Sequence, residues 1–393
     1  MRILVLENEP SRARGGQEVS LFDVCRGLAR RGHTIDLSHT TPGDLLDEYR
    51  AFCRRIEHVG AYTIDRRRVL AAARFVVDAL RPRVAPDVVY ANQYLDSPFA
   101  RAVAARLGRP FVCHVRLPPP DRFCAQYRWG LRGAVRLIAI SRRTRLDYVG
   151  RGLRHDRIAV VHNGIDASEW PFAEGGAELR AELDVPQDAF VVTFAGRLHP
   201  IKGIEVLIDA LALLPASVVL LIAGEGREDG SSRDYLGELR ARADARGVSG
   251  RCRFIGHVRG LARLYAASDV TVLPSVGSEA FGRVVVESMA CGTPAVASRI
   301  GGIPEVLTGQ FDPFLFEAGD PCALADRLQG LIGWRQRDPN LARLCRDHVV
   351  RHFDLARTVD GVETVLTEVV DEWEAGRSVS AATGAWLEPP PRL

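Results

Sequence analysis

Lysine is almost missing from this chain. Of its 52 basic residues, 51 are arginine and one is lysine, Lys202. Arginine has taken every position where the two are interchangeable, so a site that keeps lysine is one where a compact point charge serves better than a planar fork. Other absences narrow the class. The eight cysteines (25, 53, 113, 124, 252, 291, 322 and 345) are scattered with no Cys-x-x-Cys. That excludes a disulfide frame or a zinc site and fits small core residues in a reducing compartment. No apolar run reaches the ~18 residues of a membrane span. The nearest, Val206 to Gly224, is interrupted by Asp209 and Pro215 and reads as a helix followed by a buried strand. The N-terminus runs straight into RILVLEN, a first strand, so no signal peptide is expected and the cytoplasm is the expected location. The arginines carry no interleaved aromatics or reading motif, so nucleic acid is not an expected partner.

What is present is globular: 47% hydrophobic and 26% charged residues over 393 positions, a length that defaults to two domains. The net charge of +3 hides an asymmetry. Residues 1–170 hold 29 Lys and Arg against 18 Asp and Glu, or +11, and the remainder carries −8. A basic first half suits an anionic acceptor, an anionic membrane surface or simply a solvated basic face. The segment Tyr49–Arg68, with Arg50, Arg54, Arg55, Arg66, Arg67 and Arg68, is expected to form that face.

Short apolar runs alternate with helical patterns, which implies parallel sheets covered on both faces. Strands are expected at Ile3–Leu6, Thr34–Ser38, Val88–Tyr90, Phe111–His114, Leu137–Ile140 and Ile158–Val161. The pattern then restarts with Phe190–Ala195, Val218–Ala223, Cys252–Ile255, Val270–Leu273 and Pro294–Ala297. The expected architecture is α/β, with two doubly wound Rossmann-like domains facing a central cleft. The first would span 1–168 and the second 169–357. A C-terminal helix in 358–393 would pack back on the first domain and end in a loose tail. Ligands of such sheets bind beyond the carboxyl ends of the strands, which is where the most distinctive motifs fall.

The most specific segment is Ser275 to Glu305, SVGSEAFGRVVVESMACGTPAVASRIGGIPE. It sets Glu279 and Glu287 eight positions apart, slightly more than two helical turns, so the reading places both near one helix face. Carboxylates accept from neutral hydroxyls, and backbone N–H groups at a helix start hold phosphate. A sugar nucleotide offers hydroxyls at both ends and a pyrophosphate between.

Together, nine segments in this order resemble the retaining glycosyltransferases of the GT-B fold, family 4 group. They are Gly15-Gly16-x-Glu18, Arg31-Gly32-His33, HNGID (162–166), Gly196-Arg197-Leu198 with Lys202-Gly203, AGEG (223–226), FIGHV (254–258), YAASDVTVLPS (265–275), the Glu279/Glu287 segment and GGIPE (301–305). The resemblance spans nearly the whole chain. It implies that the second domain binds a nucleoside diphosphate sugar, with Arg197 and Lys202 on the pyrophosphate and Gly15-Gly16 offering N–H groups to the same phosphates. It implies further that Glu287 accepts from the ribose and Glu279 from the transferred sugar. Ala280, Phe281, Gly282 and Arg283 would lie nearby, and the Gly256-His257-Val258 backbone would meet the base. His114 would act on the donor sugar or phosphate, with Arg197, Lys202, Glu279 and His114 forming the catalytic set and Asn163-Gly164 the hinge. GT-A enzymes use an Asp-x-Asp for a metal and none occurs here, so metal-independent chemistry without a cofactor is expected. The acceptor would be a hydroxyl on an anionic or lipid-linked molecule, with peripheral contact at the inner membrane face through the basic first domain. Departures from the pattern are Asn92, where a histidine is common, Arg283, where an apolar residue is common, and Ser288, where alanine is usual. Arg283 is expected to add a phosphate contact or to point to solvent. Two alternatives stay open, a nucleotide-sugar 2-epimerase of the same fold and a non-catalytic nucleotide-sugar-binding regulatory partner.

Overall fold

The computed structural model describes residues 1–64, 69–81, 83, 85–172, 176–226 and 234–383. Contacts divide the chain into two units. Unit 1 comprises 1–140, 144–161 and 358–393; unit 2 comprises 141–143 and 162–357. The main division thus falls at Val161/His162.

Unit 1 holds a seven-stranded sheet in the order β3-β2-β1-β4-β5-β6-β7. The strands are β1 (Arg2–Glu7), β2 (Thr34–His39), β3 (Cys53–His58), β4 (Val88–Ala91), β5 (Phe111–Val115), β6 (Arg136–Ala139) and β7 (Ile158–Val160). Every pairing is parallel. The central strands are continuous apolar runs because helices cover both faces. Leu4, Leu6, Val89, Ala91, Phe111 and Cys113 share one core with Phe99 and Val103 of the helix Ser97–Leu107.

β3 was not expected. Its sequence, Cys-Arg-Arg-Ile-Glu-His, lies at the sheet edge with only Glu57 buried, so it lacks the apolar signature of an interior strand. It also changes the reading of the basic face. Arg54 binds Asp36, Arg55 lies 3.5 Å from Glu57 and Arg50 pairs with Asp47. These three charges are balanced locally. Arg66, Arg67 and Arg68 lie outside the described residues.

The C-terminal helix starts three residues before the expected boundary at 358 and runs Leu355–Thr383. Its packing groups it with unit 1. Arg31 bonds Asp360 at 2.6 Å and also meets Glu363, His33 Nε2 lies 2.7 Å from Glu363, and Arg136 bonds Glu372 at 2.8 Å. Gly27 and Gly361 give the close approach, because a Cβ at either would strike Val359 or Val161 respectively. The expected loose tail falls mostly beyond the described residues.

Unit 2 holds a six-stranded parallel sheet in the order β10-β9-β8-β11-β12-β13. The strands are β8 (Phe190–Ala195), β9 (Val218–Ala223), β10 (Cys252–Gly256), β11 (Val270–Leu273), β12 (Ala295–Ser298) and β13 (Leu315–Phe316). β13 has two residues, too few to show a period, and was not anticipated. β8, β9, β11 and β12 are buried at every position. Asp269 clasps the amino-terminal edge of this sheet, accepting from Arg180 at 2.8 Å and Arg335 at 2.9 Å. Among the described residues no helix is long and apolar enough to cross a membrane.

Candidate functional site

The strand order of unit 2 reverses between β8 and β11, so loops leaving these two strands diverge and open a crevice at their carboxyl ends. The loop after β8 carries Gly196, Arg197 and a short turn, Pro200–Lys202, capped by His199 Nδ1 accepting from Ile201 N at 3.2 Å. The loop after β11 is stitched to that turn, with Val276 N and Gly277 N both donating to Ile201 O, at 3.0 and 3.2 Å. The stitching brings Lys202 Nζ to 2.5 Å from Glu279 Oε2, while Ser275 Oγ donates to the same oxygen at 3.4 Å. Both partners remain partly exposed, Lys202 at 22% and Glu279 at 18% of the side chain. Arg197 is exposed on the same loop.

Glu279 is not on a helix. The helix Arg283–Ala290 starts only after Gly282, whose φ of 91° breaks the turn. Placing Glu279 and Glu287 on one helix face was therefore wrong. Glu279 sits in the preceding loop and is braced from the far side by the diglycine. Gly302 N donates to Glu279 O at 2.8 Å. A Cβ on Gly301 would collide with that carbonyl, and one on Gly302 with the Ala280 carbonyl. The role of GGIPE is thus legible physically: it lets a second loop back the Glu279 loop at backbone distance. Glu305 closes the motif with His162 Nε2 at 2.8 Å.

Glu287 is 6% exposed, and both of its oxygens are engaged. Arg283 Nε donates to one at 2.7 Å and Tyr265 OH to the other at 3.1 Å. Arg283 was expected to reach a phosphate or solvent. It instead binds Glu287 one turn along its own helix, the i,i+4 geometry that places the two side chains together. Burial, with Glu287 beside it, pushes the Tyr265 phenol well up. Ser288 is also explained, since its hydroxyl bonds Thr271 Oγ1 at 2.8 Å and Thr293 O at 2.9 Å, tying the helix to β11.

Glycines stand where β8, β9 and β10 end: Gly196, Gly224 and Gly256. They leave a ledge without side chains beside Arg197. Gly224 N donates to Gly256 O at 2.7 Å, and His257 N reaches Glu225 Oε1 at 3.3 Å. The Val258 side chain packs on the core and Phe281 is 3% exposed against Phe353. A cavity of about 470 Å³ lies at the opposite, amino-terminal end of the sheet beside Asp269 and Trp334. Arg180 and Arg335 in its lining both bind Asp269, so these charges hold the sheet edge together.

Unit 1 has its own reversal, between β1 and β4. Gly15 caps the helix Gly16–Arg30. Arg14 bridges Glu9 at 2.8 Å and Glu18 at 3.3 Å. Beneath lies a buried polar chain that sequence reasoning missed apart from His114 and the oddity of Asn92. Glu7 Oε2 accepts from Asn92 Nδ2 at 2.5 Å, Asn92 Oδ1 accepts from Arg116 Nε at 2.7 Å, and Tyr90 OH lies 2.5 Å from His114 Nδ1. Its one sequence signal is polar residues at the ends of otherwise apolar strands. Burial holds the His114 imidazole well below its ordinary range, helped by the charge of Arg116. Burial also raises the Glu7 and Asp96 carboxyls. Among the described residues no group of three or more His, Cys, Asp or Glu could hold a metal.

Two doubly wound parallel-sheet units, each with its polar site at the carboxyl ends of its strands, define the GT-B class. Comparison with known proteins narrows this. Residues 14–169 match the family model "Glycosyltransferase Family 4", and residues 189–333 match "Glycosyl transferases group 1". The chain belongs to these group 1, family 4 glycosyltransferases. It is 33% identical over 230 residues to a D-inositol 3-phosphate glycosyltransferase of Mycolicibacterium smegmatis, covering 58% of this chain and 51% of that protein. A protein of the same name from Xylanimonas cellulosilytica is 29% identical over 367 residues, covering 84% and 86%. The match spans about half the length of the Mycolicibacterium relative and of the Salinispora tropica relative, at 51% and 47%. Among solved structures, Anabaena Alr3699/HepE in complex with UDP-glucose superposes with a TM-score of 0.80 at 26% identity, over 94% of this chain and 100% of that one.

Proposed function

We propose that the chain transfers a hexosyl group from a nucleoside diphosphate sugar to an acceptor hydroxyl, retaining the anomeric configuration and using no metal. The observation that carries this reading is the contact of the one lysine with Glu279 at the reversal point of unit 2, beside exposed Arg197 and the glycine ledge. A departing diphosphate gains negative charge as the glycosidic bond breaks. Fixed cations favour that state over the ground state, which lowers the barrier. Lys202 has three N–H donors, so it can keep Glu279 while reaching a phosphate oxygen. Glu279 would accept from a sugar hydroxyl, and the N–H groups of Phe281 and Gly282 lie on the same loop. Glu287 would accept from the ribose; each carboxylate oxygen has two lone pairs, so its bonds to Arg283 and Tyr265 leave capacity. His257 and Val258 would meet the base through their backbone. Gly15 and Gly16 would give N–H groups to the phosphates, and His114 a hydrogen bond to the donor.

For retention, the acceptor oxygen attacks on the face from which the diphosphate leaves. The acceptor proton passes to a diphosphate oxygen, so no carboxylate nucleophile is needed. UDP-glucose is the first donor to try, because HepE binds it, with GDP-sugars second. A phosphorylated polyol is the first acceptor, given the relatives' names and the +11 charge of residues 1–170. An epimerase would need available carboxylates in unit 1, whereas Glu9 and Glu18 pair with Arg14 and Glu7 is bound by Asn92.

The test is a thermal-shift and turnover panel of UDP- and GDP-sugars, with Glu279→Ala and Lys202→Ala as controls. Stabilisation by one donor, with nucleotide release that is lost in both variants, is the expected result. Binding without release under any acceptor would favour the regulatory partner, and epimerised product would favour the epimerase.

A further inference from the structure

We infer that Tyr90 and Arg116 are positioning residues that hold His114 as its Nε2–H tautomer, making the ring a preset hydrogen-bond donor to a ligand oxygen. Where the inference concerns turnover, it rests on the transferase reading above.

The hydrogens around the ring can be counted. Tyr90 OH lies 2.5 Å from His114 Nδ1, and Arg116 Nη2 donates to the same hydroxyl oxygen at 3.4 Å. A guanidinium only donates, so it cannot receive the phenolic hydrogen. Among the described residues the one acceptor in reach of that hydrogen is Nδ1. A Tyr90 O–H that donates to Nδ1 leaves the single hydrogen of a neutral imidazole on Nε2. The ring is neutral because burial opposes its charged form and Arg116 repels it. Nε2 is buried and has no hydrogen-bond partner among the described residues. A buried donor left unpaired is unfavourable, and a ligand oxygen that pairs with it recovers that cost.

The relay continues on the other side of Arg116. Asn92 gives its Nδ2 to Glu7 at 2.5 Å, which fixes the amide so that Oδ1 faces Arg116 Nε at 2.7 Å. Glu7, Tyr90, Asn92, His114 and Arg116 are all at most 2% exposed. Their placement follows from the strand period. Tyr90 and Asn92 are two apart at the end of β4, as are His114 and Arg116 at the end of β5, so each pair projects to one face. Asn92, the departure from the family pattern, is here the link that turns Arg116 toward Tyr90.

The experiment uses the full chain with 15N-labelled histidine. Long-range 1H–15N spectra report which ring nitrogen carries the proton, and His114→Gln identifies the His114 signals among the ten histidines. The expected wild-type spectrum, with no nucleotide present, shows a protonated Nε2 and a bare, hydrogen-bonded Nδ1. In Tyr90→Phe the two tautomers mix, and kcat with the best donor falls about tenfold, as expected for one lost hydrogen bond, while donor KM changes less than about twofold. A wild-type Nδ1–H tautomer overturns the inference, and so does a Tyr90→Phe variant with unchanged tautomer and kcat. The wild-type spectrum decides the tautomer even if the variant does not fold. An Nε2–H tautomer in a protein that turns over no donor would uphold the tautomer and sink the transferase reading.

Discussion

Lys202 Nζ sits 2.5 Å from Glu279 Oε2, so the lone lysine of the chain already has a counter-ion before any nucleotide arrives. The pair is partly exposed, so its net effect on stability is about 1 kcal/mol or less. Its meaning is functional. Lys202→Ala is expected to lower kcat about 100- to 1,000-fold, the range seen when one preorganised stabilising group is removed, while thermal unfolding shifts by no more than a few degrees. Lys202→Arg restores the charge but not the compact geometry, so its kcat should stay clearly below wild type. Full kcat in that variant would show that the lysine is accidental.

Glu279→Gln separates the two halves of the pair. The amide keeps the shape, releases Lys202 from its ion pair and weakens acceptance of a sugar hydroxyl. Affinity for the free nucleoside diphosphate, measured by calorimetry, should hold or increase, because Lys202 is freed for phosphate. Turnover of the matching sugar nucleotide should fall about tenfold or more. A parallel loss of diphosphate affinity would mean that Glu279 orients Lys202 instead of competing for it.

The Glu279 loop also depends on what backs it. Gly301 has a φ of 59°, and a Cβ there would meet the Glu279 carbonyl. Gly301→Ala should therefore cost about 1–3 kcal/mol through backbone strain and displacement. Activity should drop more than unfolding suggests, because the strain is released by moving Glu279. Chemical denaturation and steady-state kinetics on one preparation compare the two losses directly.

These dependencies mark the limit of what the sequence could show. The interior strands were legible because apolar runs such as FVVTFA have no other stable home than a sheet covered on both faces. The motifs at their ends were legible as types and order. Geometry set by two distant segments meeting was not. Nothing local says that Gly301-Gly302 backs Glu279, nor that Gly282 ends the helix before Glu279 can join it. Arg283 fitted a phosphate contact or a place in solvent equally well, and it instead binds Glu287 one turn along its helix. Edge strand β3 escaped because charges occupy both of its faces. The chain from Glu7 to His114 escaped because its links cross three strands.

Arg283 and Glu287 give a stability prediction. Their side chains are 12% and 8% exposed, and the carboxylate also holds Tyr265. Removing one partner of a largely buried pair strands the other, so Arg283→Leu should destabilise unit 2 by about 2–4 kcal/mol and weaken donor binding through a misplaced Glu287. The double change Arg283→Leu/Glu287→Leu should recover much of the stability, because apolar replacement of both partners removes the stranded charge. Donor binding should not return. Recovery of donor binding in the double variant would remove Glu287 from the nucleotide site.

The buried acids of unit 1 predict an unusual pH response. Burial, then the neighbouring charges of Asp96 and Glu18, raise the Glu7 carboxyl well above its ordinary value of 4.5. The native state therefore keeps a proton on Glu7 at pH values where the unfolded chain has lost it. With more protons bound in the native state, stability falls as pH rises between 4.5 and the folded-state value. Asp96 and Glu18 are shifted the same way, both chiefly by burial. Glu7→Gln cannot ionise, so it should flatten the pH dependence of unfolding by up to one proton, about 1.4 kcal/mol per pH unit. The variant should gain most on wild type at the alkaline end. Denaturant melts from pH 5 to 8 measure the slope directly, and identical slopes in variant and wild type would mean that Glu7 is ionised in the folded protein.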